Sequence, residues 1–419
     1  MEQLKTINYI IATIFFICYA YQFAYIPISL FLKNKPHGKA KPHRYAVLIS
    51  ARNEEHVIGQ LIQSIHEQTY DQKLITVFVV ADNCTDQTAQ IARKAGAVVY
   101  ERFNTTYVGK GYALDELLQH IETDYPEHPF EGYFVFDADN ILDRHYIEEM
   151  NKTFSDGYQI ITSYRNSKNY GDNWISAGYA LWFLREARYL NNARMLLGTS
   201  CAVSGTGFLF SSKIMEKTGG WKFYLLTEDI EFTIHNVTKG EKIGYCPTAI
   251  LYDEQPTTFR QSWRQRMRWA KGFLQVFCKY GGKLFSDCLK GSFSAYDMTM
   301  TTMPAMLLSI LGVTMDVGAL IFGLLTKDIV LAETAAQMIG EAFISIYFTT
   351  FIVGAFTTVT EWKQIHTSTG KKIFYLFTFP LFMMTYIPIA LVSLFKKVEW
   401  LPIEHKCPKT LENIVTETK

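Results

Sequence analysis

Four long apolar stretches and one alternating middle region divide this chain. Ile7 to Leu32 carries no charge, and at ~1.5 Å per helical residue it is long enough to cross a ~30 Å hydrocarbon core. Further apolar stretches run over about 299–325, 339–360 and 373–395. Each predicts a membrane helix. The first is too long for a cleaved leader, and lysines rather than small residues follow it. Asp316 and Glu341 lie within or at the edge of the later stretches, where an ionisable group faces a polar path or another helix rather than lipid.

Between Pro42 and about Asp253, short apolar runs alternate with amphipathic stretches, which predicts an α/β domain. Tyr45–Ser50, Ile75–Ala81, Val98–Tyr100, Tyr133–Phe136 and Gln159–Thr162 read as strands. Their nearly unbroken apolar character predicts a parallel sheet covered on both faces. Polar residues gather where the runs end: Arg52-Asn53-Glu54, Asp82-Asn83 and Asp137-Ala138-Asp139. Ligands of open α/β sheets bind outside the carboxyl ends of strands, so these clusters predict one site. Further on, Phe259, Trp263, Met267, Ala270, Leu274 and Phe277 recur at three- and four-residue spacing, with Arg260, Arg264, Arg266, Arg268 and Lys271 filling much of the rest. That pattern predicts a basic amphipathic helix of the kind that lies in a membrane interface. The expected organisation is a membrane helix over 1–35, an α/β domain over 36–255, interfacial helices over 256–298, a membrane region over 299–400 and a tail over 401–419.

Composition narrows the function. A net charge of +1 argues against nucleic acid as a partner, which demands a basic patch. Seven cysteines without a CxxC pair suit a reducing compartment and speak against a zinc site or disulfide framework. Lys33, Lys35, Lys39, Lys41 and Arg44 follow the first apolar stretch, whereas only Lys5 precedes it. The positive-inside tendency therefore predicts a multi-pass plasma-membrane protein with a cytoplasmic α/β domain. Three further crossings would leave Lys396, Lys397 and Lys406 outside, so one segment is expected to be re-entrant or interfacial. Pro380 and Pro388 mark the last stretch.

Asp137 and Asp139 follow Phe134-Val135-Phe136, and alternation puts both carboxylates on one side of the strand's end. Such a pair holds Mg²⁺ or Mn²⁺ while leaving positions for diphosphate oxygens; a turn or helix cap accounts for it as well. Asp82 is open between a hydrogen bond to a nucleobase or ribose and an N-cap, and Asn53 and Glu54 share that ambiguity. Gly109-Lys110-Gly111 brings a lysine toward phosphate but lacks the P-loop form. Thr227-Glu228-Asp229 opens a helix, where acids favour the dipole without further role; alternatively Asp229 takes the proton from an attacking hydroxyl. Gln265, Arg268, Trp269 and Gly272 share a face, with Arg268 suited to clamp diphosphate and Trp269 to stack on a sugar ring.

Ser50-Ala51-Arg52-Asn53-Glu54, Val80-Ala81-Asp82-Asn83, Asp137-Ala138-Asp139, Thr227-Glu228-Asp229 and Gln265-Arg266-Met267-Arg268-Trp269 together resemble the membrane-embedded family 2 glycosyltransferases, which include cellulose, chitin, hyaluronan and poly-N-acetylglucosamine synthases. The resemblance implies an α/β GT-A (Rossmann-like) domain inserted between transmembrane helices, a UDP-sugar donor, a divalent metal and inversion at the anomeric carbon. By that similarity Asp82 binds uridine, Asp137 and Asp139 hold diphosphate and metal, and Asp229 is the base. Gln265, Arg268 and Trp269 line the donor diphosphate and acceptor end. Ser204, Gly205, Trp221 and Glu228 belong to the acceptor side. Ala81 departs from the pattern, since many synthases carry two consecutive acids there. The motif pair points to UDP-glucose and a translocated β-glucan with 1,4 or mixed 1,3 and 1,4 linkages. UDP-N-acetylglucosamine polymerisation, single-sugar transfer to a lipid and a non-catalytic nucleotide-sugar scaffold are the alternatives. Expected partners are thus the nucleotide sugar, a nascent polysaccharide and the bilayer.

Overall fold

A computed structural model describes residues 2–127 and 129–416; the last three positions of the expected tail lie outside them. Eight strands form one sheet: β1 (Tyr45–Ala51), β2 (Ile75–Asp82), β3 (Val98–Arg102), β4 (Gly132–Asp137), β5 (Ile141–Leu142), β6 (Ile160–Ser167), β7 (Phe208–Ser211) and β8 (Ile243–Asp253). Their spatial order is β3-β2-β1-β4-β7-β6-β8-β5. The first four pair in parallel, as the continuous apolar runs predict.

The sheet is nevertheless mixed, which corrects the all-parallel expectation. β7 runs antiparallel to both β4 and β6, and β5 runs antiparallel to β8. β7 is only four residues long, and β8 contains Pro247, which cannot donate to a ladder. The register accordingly jumps from Ser163↔Cys246 to Tyr164↔Ile250.

Alternation along the strands builds two cores. Ala46, Leu48, Phe78, Val80 and Val135 meet Leu114 and Leu117 of the helix Lys110–Asp124 on one face. Val47, Ile49, Phe134 and Phe136 meet Leu61 and Ile65 of the helix Ile58–His66 on the other. These side chains are fully buried, and each one larger than alanine contributes about 1.5–3 kcal/mol.

Among the described residues, four helical stretches are long and apolar enough to cross a membrane: Glu2–Phe31, Phe293–Thr326, Ile329–Thr360 and Thr369–Phe395. Pro304–Thr326 runs out from the α/β domain and Ile329–Thr360 returns to it, where Tyr189 and Thr360 share a 2.7 Å hydrogen bond. Asp316 both pairs with the first helix, where Asn8 Nδ2 donates to its Oδ1 at 2.7 Å, and lines a cavity between the helices.

The fourth stretch is different. Lys371 Nζ near its start donates to Gly171 O at 2.7 Å, and Ser393 O near its end accepts from Lys271 Nζ at 3.1 Å. Thr369–Phe395 is broken at Thr385 and lies along the α/β domain and its basic helix rather than leading away.

One buried knot joins three parts of the chain. Arg194 donates from Nε and Nη2 to Asp297 at 2.7 and 2.8 Å, and Tyr21 and Tyr25 hydroxyls donate to the same carboxylate. The first membrane helix, the α/β domain and the foot of the outgoing helix are thereby tied together.

Candidate active site

The strand tips carry the polar residues. Asn53 and Asn83 adopt left-handed φ of 58° and 53°, a conformation asparagine tolerates, and turn the chain sharply off β1 and β2. Asn53 Oδ1 accepts from Thr85 N at 2.8 Å, clamping the two loops together. Asp82 is buried and accepts from Arg102 Nη1 at 2.6 Å and Asn83 Nδ2 at 2.9 Å. Burial raises its carboxyl above the ordinary value, opposed by Arg102.

Lys110 opens its helix directly below the tip of β4. Its Nζ donates to Asp137 Oδ1 at 2.5 Å and Gly205 O at 2.8 Å, and lies 4.0 Å from Glu228 Oε1. A Cβ on Gly111 would sit 2.0 Å from Phe223 O. Only glycine lets this helix approach closely enough to place the lysine there. Asp139 is buried, and its Oδ2 accepts from Glu254 N at 2.8 Å. Asp137 and Asp139 offer hard oxygen ligands, a donor set that fits Mg²⁺ or Mn²⁺ with phosphate and water completing the shell.

Glu228 and Asp229 start the helix Glu228–Thr238 and are enclosed together. Burial first, and then the charge of Asp229, push Glu228 up to about 7. Burial also raises Asp229, while the N–H of Ile230, Lys110 and Arg268 pull it back. A half-buried carboxylate held above its ordinary range is suited to accept a proton.

The helix Phe259–Leu289 closes the other side. Arg268 Nη1 donates to Leu226 O at 2.9 Å, just ahead of the two acids. Trp269 packs edge-on against Tyr179 and Phe183 at 5.7 and 6.2 Å. A Cβ on Gly272 would lie 2.5 Å from Thr227, so glycine sets this helix against the acid pair. Arg266 departs from the headgroup-facing expectation. It is fully buried, donates to Phe382 O at 3.1 Å and Thr385 Oγ1 at 2.6 Å, and lies 4.4 Å from the Phe382 ring centre.

One cavity of about 1260 Å³ brings together Glu54, Asp82, Lys110, Asp137, Asp139, Ser204, Gly205, Glu228, Asp229, Gln265, Arg268 and Trp269. Asn53 and Trp221 do not line it. Asn53 is spent on the loop clamp, and Trp221 is buried in the core with its ring stacked on Phe232 at 5.4 Å. The sequence reading missed Arg165 and Asp253, which pair through both Nε and Nη2 beside Ser204. The signal was the acidic end of an apolar run at Leu251-Tyr252-Asp253-Glu254. Trp400 and His405 also line the cavity.

Away from the carboxylates the same cavity continues between the membrane helices, lined by Phe15, Phe16, Phe23, Val313, Phe343 and Ile346 among others. Along the outgoing helix it reaches from Ala305 to Val317, roughly 18 Å at ~1.5 Å per residue.

Residues 42–272 match the family described as glycosyltransferase like family 2. Over 270 residues the chain is 27% identical to a probable glycosyltransferase, YdaM, of Bacillus subtilis, covering 58% of each. It is also 27% identical over 240 residues to a beta-monoglucosyldiacylglycerol synthase of Synechocystis, covering 56% of this chain and 48% of that one. A poly-beta-1,6-N-acetyl-D-glucosamine synthase of Staphylococcus aureus is 23% identical over 240 residues, 55% of each. The chain thus spans about half the length of the curated relatives it matches. In fold it is similar to a mannosyltransferase of Pyrobaculum calidifontis solved with GDP-Man and Mn²⁺. The TM-score is 0.56 at 16% identity, covering 94% of this chain and 99% of that one.

Proposed function

Because this chain belongs to the family 2 glycosyltransferases, we propose that it moves one hexose from a UDP-sugar, with inversion, onto the free hydroxyl of a membrane lipid. One observation carries the lipid acceptor: the carboxylate site opens into an apolar groove between membrane helices. Its reach of roughly 18 Å slightly exceeds half of a ~30 Å hydrocarbon core. Acyl chains of a diacylglycerol would lie against Phe16, Val313 and Phe343, with the hydroxyl beside Asp229. A sugar polymer would present many hydroxyls to these mostly apolar walls, where Asn8, Ser309, Asp316 and Thr349 are among the few polar groups, and unpaired hydroxyls are costly to bury.

Asp229 takes the hydroxyl proton as the oxygen attacks the anomeric carbon from the face opposite the departing diphosphate. Arg268 and Lys110 hold the diphosphate and stabilise its growing charge, and Asp82 receives the uridine. Asp137 and Asp139 would hold the metal, which when bound neutralises phosphate charge. Burial and the neighbouring Asp229 push Glu228 up to about 7, against the pull of Lys110, so the acid pair still holds a proton near neutral pH. Lys33 to Arg44 and Lys396, Lys397 and Lys406 then belong on one side, supporting a cytoplasmic α/β domain at the plasma membrane.

The β-glucan or poly-N-acetylglucosamine reading retains one support, the Trp269 ring at the cavity, where an aromatic face suits a pyranose. Reconstituted protein supplied with labelled UDP-glucose or UDP-N-acetylglucosamine and diacylglycerol separates the two by product size. A monoglycosylated lipid is expected. Long chains made without lipid would reverse the assignment.

A further inference from the structure

The arginines that line the cavity are not alike. Arg165 is paired with Asp253 and Arg194 with Asp297. Arg52 lies at the tip of β1 over the Trp400 ring, and Arg268 stands beside the acid pair. Arg185 has no such place. It ends the helix Trp174–Arg185, and its Nη2 donates to Gln22 Oε1 of the first membrane helix at 2.7 Å. Its guanidinium carbon lies 4.9 Å from the Trp182 ring centre. Both partners are neutral, and among the described residues Arg185 forms no ion pair. Burial lowers the guanidinium to about 10, opposed by the charge of Glu186 beyond ion-pair distance, so it stays charged at neutral pH. A cation favours the carboxyl end of a helix, but the helix does not stop here. It runs on through a π-helical stretch, Glu186–Asn191, into Asn192–Leu197.

Arg185 sits where the two halves of the cavity meet. On one side Glu186 and Ser204 line the polar half, and a Cβ on Gly205 would stand 3.9 Å from Asp229 Oδ2. On the other side Gln22 is followed by Phe23 and Ile26 of the apolar groove. From Asp229 outward the walls thus offer a base, an unpaired guanidinium and then apolar surface. A lipid matched to that order carries a free hydroxyl, then an anionic group, then acyl chains.

We propose that Arg185 receives the phosphate of the acceptor, and that the acceptor is a phospholipid whose headgroup ends in a free hydroxyl, as in phosphatidylglycerol. Diacylglycerol is then a poorer substitute. This rests on the lipid-acceptor reading above and narrows it. A guanidinium presents a planar fork that matches two phosphate oxygens, and each such contact is a charge-assisted hydrogen bond. Gln22 and Trp182 hold that fork without neutralising it.

The test measures transfer by the full chain in uncharged maltoside micelles, from labelled UDP-glucose or UDP-N-acetylglucosamine, whichever the wild type uses. Diacylglycerol and phosphatidylglycerol of the same acyl chains serve as acceptors. Wild type should favour phosphatidylglycerol about tenfold in kcat/KM, chiefly through KM. Arg185→Gln should bring that ratio to within about twofold, and Arg185→Lys should keep most of it. Phosphatidic acid has the phosphate but no alcohol, and should compete with phosphatidylglycerol about fivefold less well in Arg185→Gln than in wild type. A wild-type ratio near one overturns the proposal. So does a ratio that Arg185→Gln leaves intact while both rates fall, which marks a mere brace. Phosphatidic acid that speeds transfer to diacylglycerol would put the phosphate on a neighbouring lipid and overturn it as well. Glycosylation of diacylglycerol alone sinks only this assignment. If neither lipid is glycosylated, the lipid-acceptor reading fails and the role of Arg185 fails with it.

Discussion

At the scale of single residues, the proposed chemistry turns on the acid pair. Asp229→Asn keeps shape and hydrogen-bonding capacity but cannot take a proton. Turnover should fall by ~10²–10⁴, with UDP affinity within about threefold by calorimetry. The pH profile carries a second expectation. Asp229 is raised above the ordinary aspartate value in the folded protein, so turnover should fail on the acid side at a higher pH than an unperturbed aspartate would set. Arg268 favours the anion. Removing its charge in Arg268→Gln raises the carboxyl further and should move the acid limb of kcat to higher pH. The carboxylates of this site were legible because acids at strand ends and helix starts leave local patterns. Trp400 and His405 were not. His405 meets Glu54 across 351 positions, and no periodicity links an irregular segment to a strand tip. Trp221 shows the reverse, for the resemblance put it on the acceptor side, whereas it fills a core formed by Phe210, Phe223 and Phe232.

Elements followed from the sequence where burial was one-sided or continuous. β1, β2 and β4 stood out as unbroken apolar runs because helices cover both faces. β7 was hidden by its brevity, and β8 by a proline that the register shift accommodates. The helix Phe259–Leu289 was visible, but its partner surface was not. Charge alone cannot tell a headgroup contact from an arginine enclosed by Tyr179, Phe382 and Tyr386. Arg266→Ala should release the broken helix from this surface, costing about 2 kcal/mol or more and lowering the thermal midpoint in detergent by several degrees. Gly272→Leu tests the opposite contact. Its side chain has no room beside Thr227, so the helix should shift and carry Arg268 and Trp269 off the acid pair. Transfer activity should drop at least tenfold while membrane insertion, checked by fractionation, persists.

For the whole molecule, the contacts at both ends of Thr369–Phe395 support an interfacial last stretch, where hydropathy leaves the count open. On that proposal the chain goes out once after the α/β domain and comes back once, and its later lysines rejoin the earlier ones on one side. Cysteines placed at Lys33 and Lys397 should react with an impermeant maleimide from the same face of sealed vesicles, and one at Lys327 from the other. Opposite labelling of Lys33 and Lys397 would show a third crossing. The knot of Arg194 with Asp297 bears on how such a molecule comes to exist. Its partners are 103 positions apart, and ribosomes add ~5–20 residues per second, so Arg194 waits roughly 5–20 s for its carboxylate. During that interval β7 and β8 are still being added to the sheet, while a guanidinium destined for burial stands uncompensated. Completion of the newborn enzyme therefore follows the pace at which its outgoing helix is threaded into the bilayer.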